Sequence, residues 1–216
     1  METYHSIPHW NKGLFGEDII AQDKIDGSSM RFECNRNRGF YKFGTRNVMI
    51  DESDEGFGEG IGIFLNKYAH DLERIVFKKY PKVVSFVAFA EFFGTNSFAG
   101  QHLESDTKDV CLFDIHLKNL GMINPYEFQT IFGNLDIPKV IYEGEFNMDF
   151  INSVRNDKFN LKEGVVAKGI QGKETWMTKI KTDSWLVKVR EKMGDSGLLD
   201  ELNGDSELYN FNYEKN

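Results

Sequence analysis

Cysteine and proline are scarce in this chain, with two and four among 216 residues. Cys34 and Cys111 lie far apart and neither belongs to a C-x-x-C pair. That argues against a disulfide framework and against a cysteine zinc site, and it favours a reducing, intracellular setting, so the cytoplasm is the expected location. The five histidines (His5, His9, His70, His102 and His116) show no metal-ligand spacing. No apolar run approaches the roughly 20 residues that span a bilayer, so no membrane partner is expected. The opening METYHSIPHW is neither basic nor apolar for long enough to act as a signal peptide. Internal repeats and Pro- or Ser-rich linkers are missing too. An excess of positive charge is also lacking: the net charge of −8 argues against broad, nonspecific binding to nucleic acid.

What the chain does have is apolar and aromatic mass, 40% hydrophobic residues with 19 Phe, enough for a globular core. Its charge is uneven. Residues 194–216 hold six acids and one base, a local −5, whereas residues 168–192 hold seven bases and three acids, a local +4. A phosphate site can sit in the basic stretch despite the acidic total. The expected organisation is one catalytic domain over 1–193, monomeric, followed by an acidic tail over 194–216 that is mobile or loosely covers the rest.

Alternation and turn residues predict strands at 18–23 and 29–34, paired around the Gly between them, and another at 38–43. The acidic, Gly-rich stretch 51–60 reads as a loop. Leu65, Tyr68, Leu72, Ile75 and Val76 fall at helical spacing and predict a helix from Ile63 to Lys79, ended by Pro81. Strands follow at 83–92 and 109–117. Asn124-Pro125 should cap a short helix through Phe132, closed by Gly133. A strand at 139–143, a helix near 148–155, strands at 163–168 and 174–181, and a helix at 184–193 complete the pattern. The class is α+β with mostly antiparallel sheets flanked by helices.

Lys24-Ile25-Asp26-Gly27 is a K-x-D-G tetrad, by itself no more than a lysine beside turn chemistry. Further along come Glu163-Gly164-Val165-Val166-Ala167-Lys168 and then Lys179-Ile180-Lys181. In a strand, alternate residues share a face, so Lys179 and Lys181 project together, and Glu163 is expected on the face of Val165. Glu91 ends one apolar run, where a carboxylate needs a partner or a task. Phe113-Asp114-Ile115 lies in another. The segment Gly56 to Gly62 imitates a phosphate loop, but it follows no clear strand and is ringed by acids, so it reads as a flexible loop. Lys67, Lys78, Lys79 and Lys82 read as a solvated helix face, or as a duplex contact if that face borders the site.

Taken together these elements resemble the covalent nucleotidyltransferases, that is, ATP-dependent DNA and RNA ligases and mRNA capping enzymes. Six motifs occur in the order those families carry them: Lys24 to Gly27, Thr45-Arg46-Asn47, Glu91, Phe113 to Ile115, Glu163 to Lys168, and Lys179 to Lys181. Co-occurrence in order is far more specific than any single match. The compact spacing is most similar to the phage-type nick-sealing RNA ligases, which fits a virus-encoded chain. The sequence departs from the family pattern at Ser28-Ser29, where many RNA ligases carry Asn two residues past the Gly. It also has only 35 residues after Lys181, too few for an OB domain.

The resemblance implies an ATP-grasp-like nucleotidyltransferase domain without an OB domain. It implies ATP as cosubstrate, AMP carried covalently on Lys24, Mg²⁺ as helper, and transfer of AMP to a 5′-phosphate end that a 3′-hydroxyl then attacks. Neighbouring cations such as Lys168, Lys179 and Lys181 would disfavour the charged form of Lys24 and neutralise phosphate oxygens. Glu163 is the expected metal-side carboxylate and Glu91 the acceptor from ribose hydroxyls. Phe113 is expected to stack on adenine, with Leu112 or Cys111 in its place if the register differs and plain core packing as the alternative. Arg46 should contact ribose or a substrate phosphate. Asp26 should orient the Lys24 loop, and Asp23 should lie close to adenine. The implied partner is nucleic acid, RNA at a nicked or broken duplex, with a helper domain or protein for sealing. A minimal DNA ligase, an adenylylating or nucleic-acid-binding module that needs a partner to seal, and a GTP-using capping activity are the competing readings.

Overall fold

The computed structural model describes residues 1–95 and 105–202, with side chains as far as residue 196. The acidic positions beyond Leu202, and His102, lie outside the described residues. The chain forms two compact units, Met1–Ser6 with Ile25–Lys139, and Ile7–Lys24 with the segment from Val140 onward.

The first unit is built on a six-stranded sheet. Its strands β2 (Ser28–Asn35), β3 (Gly39–Thr45), β4 (Met49–Ile50), β5 (Ser85–Phe93), β6 (Asp109–Leu117) and β7 (Gly121–Met122) run in the order β4-β3-β2-β5-β6-β7. Strand β1 (Asp18–Lys24) belongs to the other unit's sheet, of order β10-β9-β1-β8, with β8 (Val140–Glu145), β9 (Gly164–Gln171) and β10 (Glu174–Lys181). All paired strands are antiparallel. The expected hairpin of 18–23 with 29–34 does not form, since β1 pairs with β8 and β9 while β2 pairs with β3 and β5. Asp26-Gly27 redirects the chain between sheets instead of closing a turn within one.

In the six-stranded sheet, Met30, Phe32 and Cys34 of β2, Phe86, Ala88 and Ala90 of β5, and Val110 and Leu112 of β6 all point into one core. Helices α1 (Gly58–Phe64) and α2 (His70–Lys79), joined by a π-helical turn over Leu65–Ala69, cover that face with Ile61, Phe64, Tyr68, Leu72 and Val76. This is the spacing of a single apolar stripe. Asn124 caps α3 (Pro125–Phe132) by accepting from the backbone of Tyr126 and Glu127, as its sequence requires. In the four-stranded sheet, Ile19, Ala21, Val165, Ala167 and Ile180 pack against Phe150, Ile151 and Val154 of α4 (Met148–Arg155). The terminal helix α5 (Asp183–Leu202) breaks its helical geometry at Gly194 and continues beyond it. Among the described residues no OB-fold barrel is present, and no helix is long and apolar enough to cross a membrane.

The Gly-rich segment is a correction. Gly58, Gly60 and Gly62 lie inside α1 and do not form a flexible loop. Packing overrides propensity here: a Cβ on Gly58 would stand 2.4 Å from the carbonyl oxygen of Glu52. Gly62 meets nothing within 4 Å. Gly62→Ala should therefore stabilise the protein by up to about 1 kcal/mol, the helix-propensity difference. Gly58→Ala should destabilise it by about 1–3 kcal/mol through overpacking. Urea midpoints of the two variants against wild type check both signs.

Candidate active site

On the four-stranded sheet, the side opposite the Ile19–Ala21 core carries the motif lysines. Lys24 of β1, Gly164 of β9 and Lys181 of β10 form one rung across three strands. Gln22, Val166 and Lys179 form the next rung on that face, and Ile20, Lys168 and Met177 the one after. Lys179 and Lys181 therefore share a face as their spacing requires. Lys168 is buried two such rungs from Lys24, roughly 13 Å along the strand. Asp23 has the opposite parity and shares the side of Ile19 and Ala21. Asp26 belongs to the other unit and is buried directly after β1.

Glu163 closes the first rung. Its Oε1 lies 2.7 Å from Lys24 Nζ and 3.0 Å from Lys181 Nζ. The expectation that Glu163 lies on the face of Val165 is overturned, because Val165 is in the core while Glu163 reaches the lysines on the other side. Glu163 precedes β9, so strand alternation does not bind it. Lys24 retains 22% side-chain exposure against 3% for both Glu163 and Lys181, which makes Lys24 the reachable member. Why glycine sits between the two lysines is plain from the packing: a Cβ on Gly164 would stand 2.0 Å from the carbonyl oxygen of Ile180.

Glu163 Oε2 is buried without a hydrogen-bond partner among the described residues. A free, buried carboxylate oxygen suits a hard divalent cation that arrives with the triphosphate, whose negative charge offsets the two nearby ammonium groups, because Mg²⁺ keeps several waters and takes only one or two carboxylates together with substrate phosphates. Among the described residues no cluster of three or more His, Cys, Asp or Glu forms a metal cage, as such a shared site would not require.

In the first unit, the sheet face opposite the helices carries a second constellation. The register of β5 with β6 shifts between Phe89 and Ala90, which pair with Asp114 and Leu112 and leave Phe113 as the extra residue of a bulge. A bulge of this kind re-aims a side chain. Leu112 and Ile115 therefore both reach the core, whereas Phe113 stays outside it beside Phe89, ring centroids 6.5 Å apart. Cys111 is buried with its thiol against the Asp136 carbonyl.

Tyr4, which the sequence reading missed, stands edge-on to both rings at 4.9 Å from Phe89 and 5.0 Å from Phe113. Its hydroxyl donates to Asp114 Oδ2 at 2.5 Å. Burial first, then the Asp114 charge and hydrogen bond, push the Tyr4 phenol far up, with the Glu91 charge adding and Arg46 opposing. Of these five charged and aromatic neighbours, Phe113, Asp114, Glu91 and Arg46 are motif residues and Phe89 is not. Arg31, another missed residue, is buried and donates to the carbonyl of Glu2 at 3.2 Å, holding the segment that bears Tyr4. Only the Tyr4–Asp114 separation of 110 residues hid the pair, since nothing local marks it.

Lys67 is no solvated cation. It pairs with Asp109 at 2.7 Å and Asp136 at 2.5 Å. Burial works to lower its pKa, but the hydrogen bonds to Asp109 and Asp136 outweigh that and raise it.

Burial pushes the thiols of Cys34 and Cys111 up to about 12, aided by the charges of Glu73 and Asp136 respectively. A raised folded-state pKa means stability is intact below the unfolded value of 9.0 and falls as pH rises towards 12. Each thiol should withdraw about 1.4 kcal/mol per pH unit above 9. The urea midpoint should drop between about pH 8 and about pH 10.5, and a Cys34→Ala, Cys111→Ala variant should show a smaller drop.

The fold matches the Naegleria gruberi RNA ligase. A Lys→Ala variant of that enzyme with ATP and Mn aligns with a TM-score of 0.63 at 16% identity, covering 86% of this chain and 58% of that one. The same ligase with PPi aligns with a TM-score of 0.64 at 16% identity over 88% and 58%. A Glu→Ala variant with AMP and Mn gives 0.64 at 15% over 87% and 58%. The chain thus spans under three fifths of those relatives' length. No curated protein matches the sequence. The RNA ligase family pattern, however, matches residues 17–189, four fifths of the sequence, and the chain belongs to the RNA ligase family.

Proposed function

We propose that this protein is an ATP-dependent RNA ligase that joins 5′-phosphate to 3′-hydroxyl ends at a nick or break in a duplex. One observation carries the reading: the Lys24–Gly164–Lys181 rung closed by a single oxygen of Glu163. In the first step the Lys24 amine, having shed its proton, attacks the α-phosphorus of ATP. The N–P bond forms, the bridging P–O bond breaks, and its electron pair leaves with pyrophosphate. The AMP then passes to the 5′-phosphate, and the 3′-hydroxyl displaces it.

An ammonium held on Glu163 is not a nucleophile, so Lys24 must leave that oxygen and lose its proton. Lys181, on the same oxygen, presents like charge to Lys24 and stays to neutralise phosphate oxygens, with Lys179 and Lys168 along the same face. Glu163 would hold Mg²⁺, which when bound supplies charge stabilisation to the triphosphate. In the first unit, Phe113 would stack on adenine, a role supported by its release from the core through the bulge, while Leu112 is committed to packing. Glu91 would accept from ribose hydroxyls, Arg46 would contact ribose or phosphate, Asp26 would orient the Lys24 loop, and Asp23 would lie near adenine. The reading also takes residues 1–193 as one ATP-grasp-like catalytic domain and 194–216 as a tail, in a monomer inside the cell.

Incubation with Mg²⁺ and α-labelled ATP, followed by denaturing gel and intact mass, tests the reading. A label that survives denaturation, together with no label from γ-labelled ATP, is the expected result. GTP should not substitute. Sealing should be faster on nicks with RNA at the 3′-hydroxyl side, and equal sealing of all-DNA nicks would install the DNA ligase reading. The net charge of −8 favours one further reading, an adenylylating module that seals only with a partner. Strong labelling with no sealing of any nick by the isolated chain would select it.

A further inference from the structure

Helix α5 begins directly beneath the lysine rung. Thr182 follows Lys181 and is fully buried, donates its backbone N–H to the Glu163 carbonyl at 2.9 Å, and accepts the backbone N–H of Trp185 on its hydroxyl at 3.1 Å. This cap fixes the first turn of the helix. It brings the Trp185 ring, 1% exposed, under Lys181, whose Nζ lies 3.8 Å from the ring centroid. Lys181 is therefore held between the indole face and Glu163 Oε1. The indole N–H of Trp185 is buried and has no acceptor among the described residues. A buried donor left unmade is costly, so the N–H does not account for the residue, whereas the π-face does.

We propose that Trp185 is a positioning residue that holds the Lys181 ammonium at the reacting phosphate when Glu163 turns from the lysines to its other ligands. Glu163 Oε1 is shared by Lys24 and Lys181, and a cation taken on Oε2 would weaken its hold on both ammonium groups. As that hold weakens, an anchor independent of Glu163 keeps the buried ammonium in place. The ring supplies that anchor without accepting a proton or competing for the phosphate. In a dry site a cation over an indole is held more firmly than at a surface. The inference rests on the ligase reading above for its kinetic consequence, though not for its geometric one.

Two readouts on the full-length chain test it, using Trp185→Phe, Trp185→Leu, Lys181→Met and the Lys181→Met, Trp185→Leu double variant. The first is the single-turnover rate of Lys24 labelling with α-labelled ATP. Trp185→Leu should lower the maximal rate by roughly tenfold to thirtyfold, with the half-saturating ATP concentration moving by less than about threefold. Trp185→Phe, which keeps a ring, should stay within about threefold of wild type. In the Lys181→Met background, Trp185→Leu should add less than about a twofold loss, because nothing remains for the ring to hold. An equal effect of Trp185→Leu in both backgrounds would overturn the proposal, and so would Trp185→Phe being as slow as Trp185→Leu. The second readout needs no activity: modification of Lys181 by acetic anhydride, followed by peptide mass. With Glu163→Gln present in every variant, so that the carboxylate no longer holds the ammonium, Lys181 should stay protected beside Trp185 or Trp185→Phe and become several-fold more reactive beside Trp185→Leu. Unchanged protection in a folded Trp185→Leu protein would refute it. A wild type that takes no label would sink the ligase reading and leave the protection result to decide this one.

Discussion

Lys24→Arg yields no covalent adduct with α-labelled ATP at any pH, at least about a thousandfold below wild type, in a protein that remains folded. Arginine keeps the positive charge and can still meet Glu163 Oε1, so the ion pair that Lys24 makes at 2.7 Å has a substitute. Stability should change little, because the Lys24 side chain is already 22% exposed. What arginine cannot do is lose a proton in water, and without that no lone pair is available for the α-phosphorus. Folding and chemistry are thereby separated at one position. The check is intact mass and gel label beside a thermal melt. A surviving adduct on another lysine would move the nucleophile elsewhere on the sheet face.

Gly164→Ala has the next largest effect, and it acts through space. The new methyl would sit 2.0 Å from the Ile180 carbonyl oxygen and 2.8 Å from the Lys181 Cα, both backbone atoms. Neither can rotate away, so β9 and β10 must part at the rung that joins Lys24 to Lys181. A cost of about 3 kcal/mol or more follows, or a fall of roughly 6–12 °C in melting temperature for a chain of this size. Labelling of Lys24 should fall with it even at temperatures where the variant is folded, because the two ammonium groups no longer meet one oxygen. Normal labelling by a folded Gly164→Ala protein would show that the rung tolerates a wider spacing than its packing implies.

Strands β6 and β10 lie at the expected positions, Asp109–Leu117 and Glu174–Lys181; β6 is an apolar run buried along most of its length, and in β10 the lysine spacing places Lys179 and Lys181 on one face. The cap at Asn124 was equally legible, since it is local chemistry. Three features were not. Asp26-Gly27 announces a change of direction but says nothing about which sheet each flank will join. Gly58 to Gly62 has the propensity of a loop, and only the neighbouring Glu52 carbonyl makes small residues an asset within a helix. Glu163 follows strand parity in the sequence yet lies one residue before the strand, where parity has no force. Within the site, the lysines and Glu163 were visible as ordered motifs. Tyr4 and Trp185 were not, because one meets its partner 110 residues away and the other contributes a ring face, which no motif spells out.

The four-stranded sheet takes its third strand in order from the start of the chain and the others from residue 140 onward, with the whole six-stranded unit inserted between. During synthesis this has a simple consequence. The segment bearing Lys24 leaves the ribosome early and waits for more than a hundred residues before its strand neighbours exist. The inserted unit, whose contacts lie within one continuous stretch apart from the first six residues, can fold in the meantime. Lys24 therefore gains Glu163 and its two flanking strands first, and the rung that the proposed chemistry uses is complete only once β10 brings Lys181 into place.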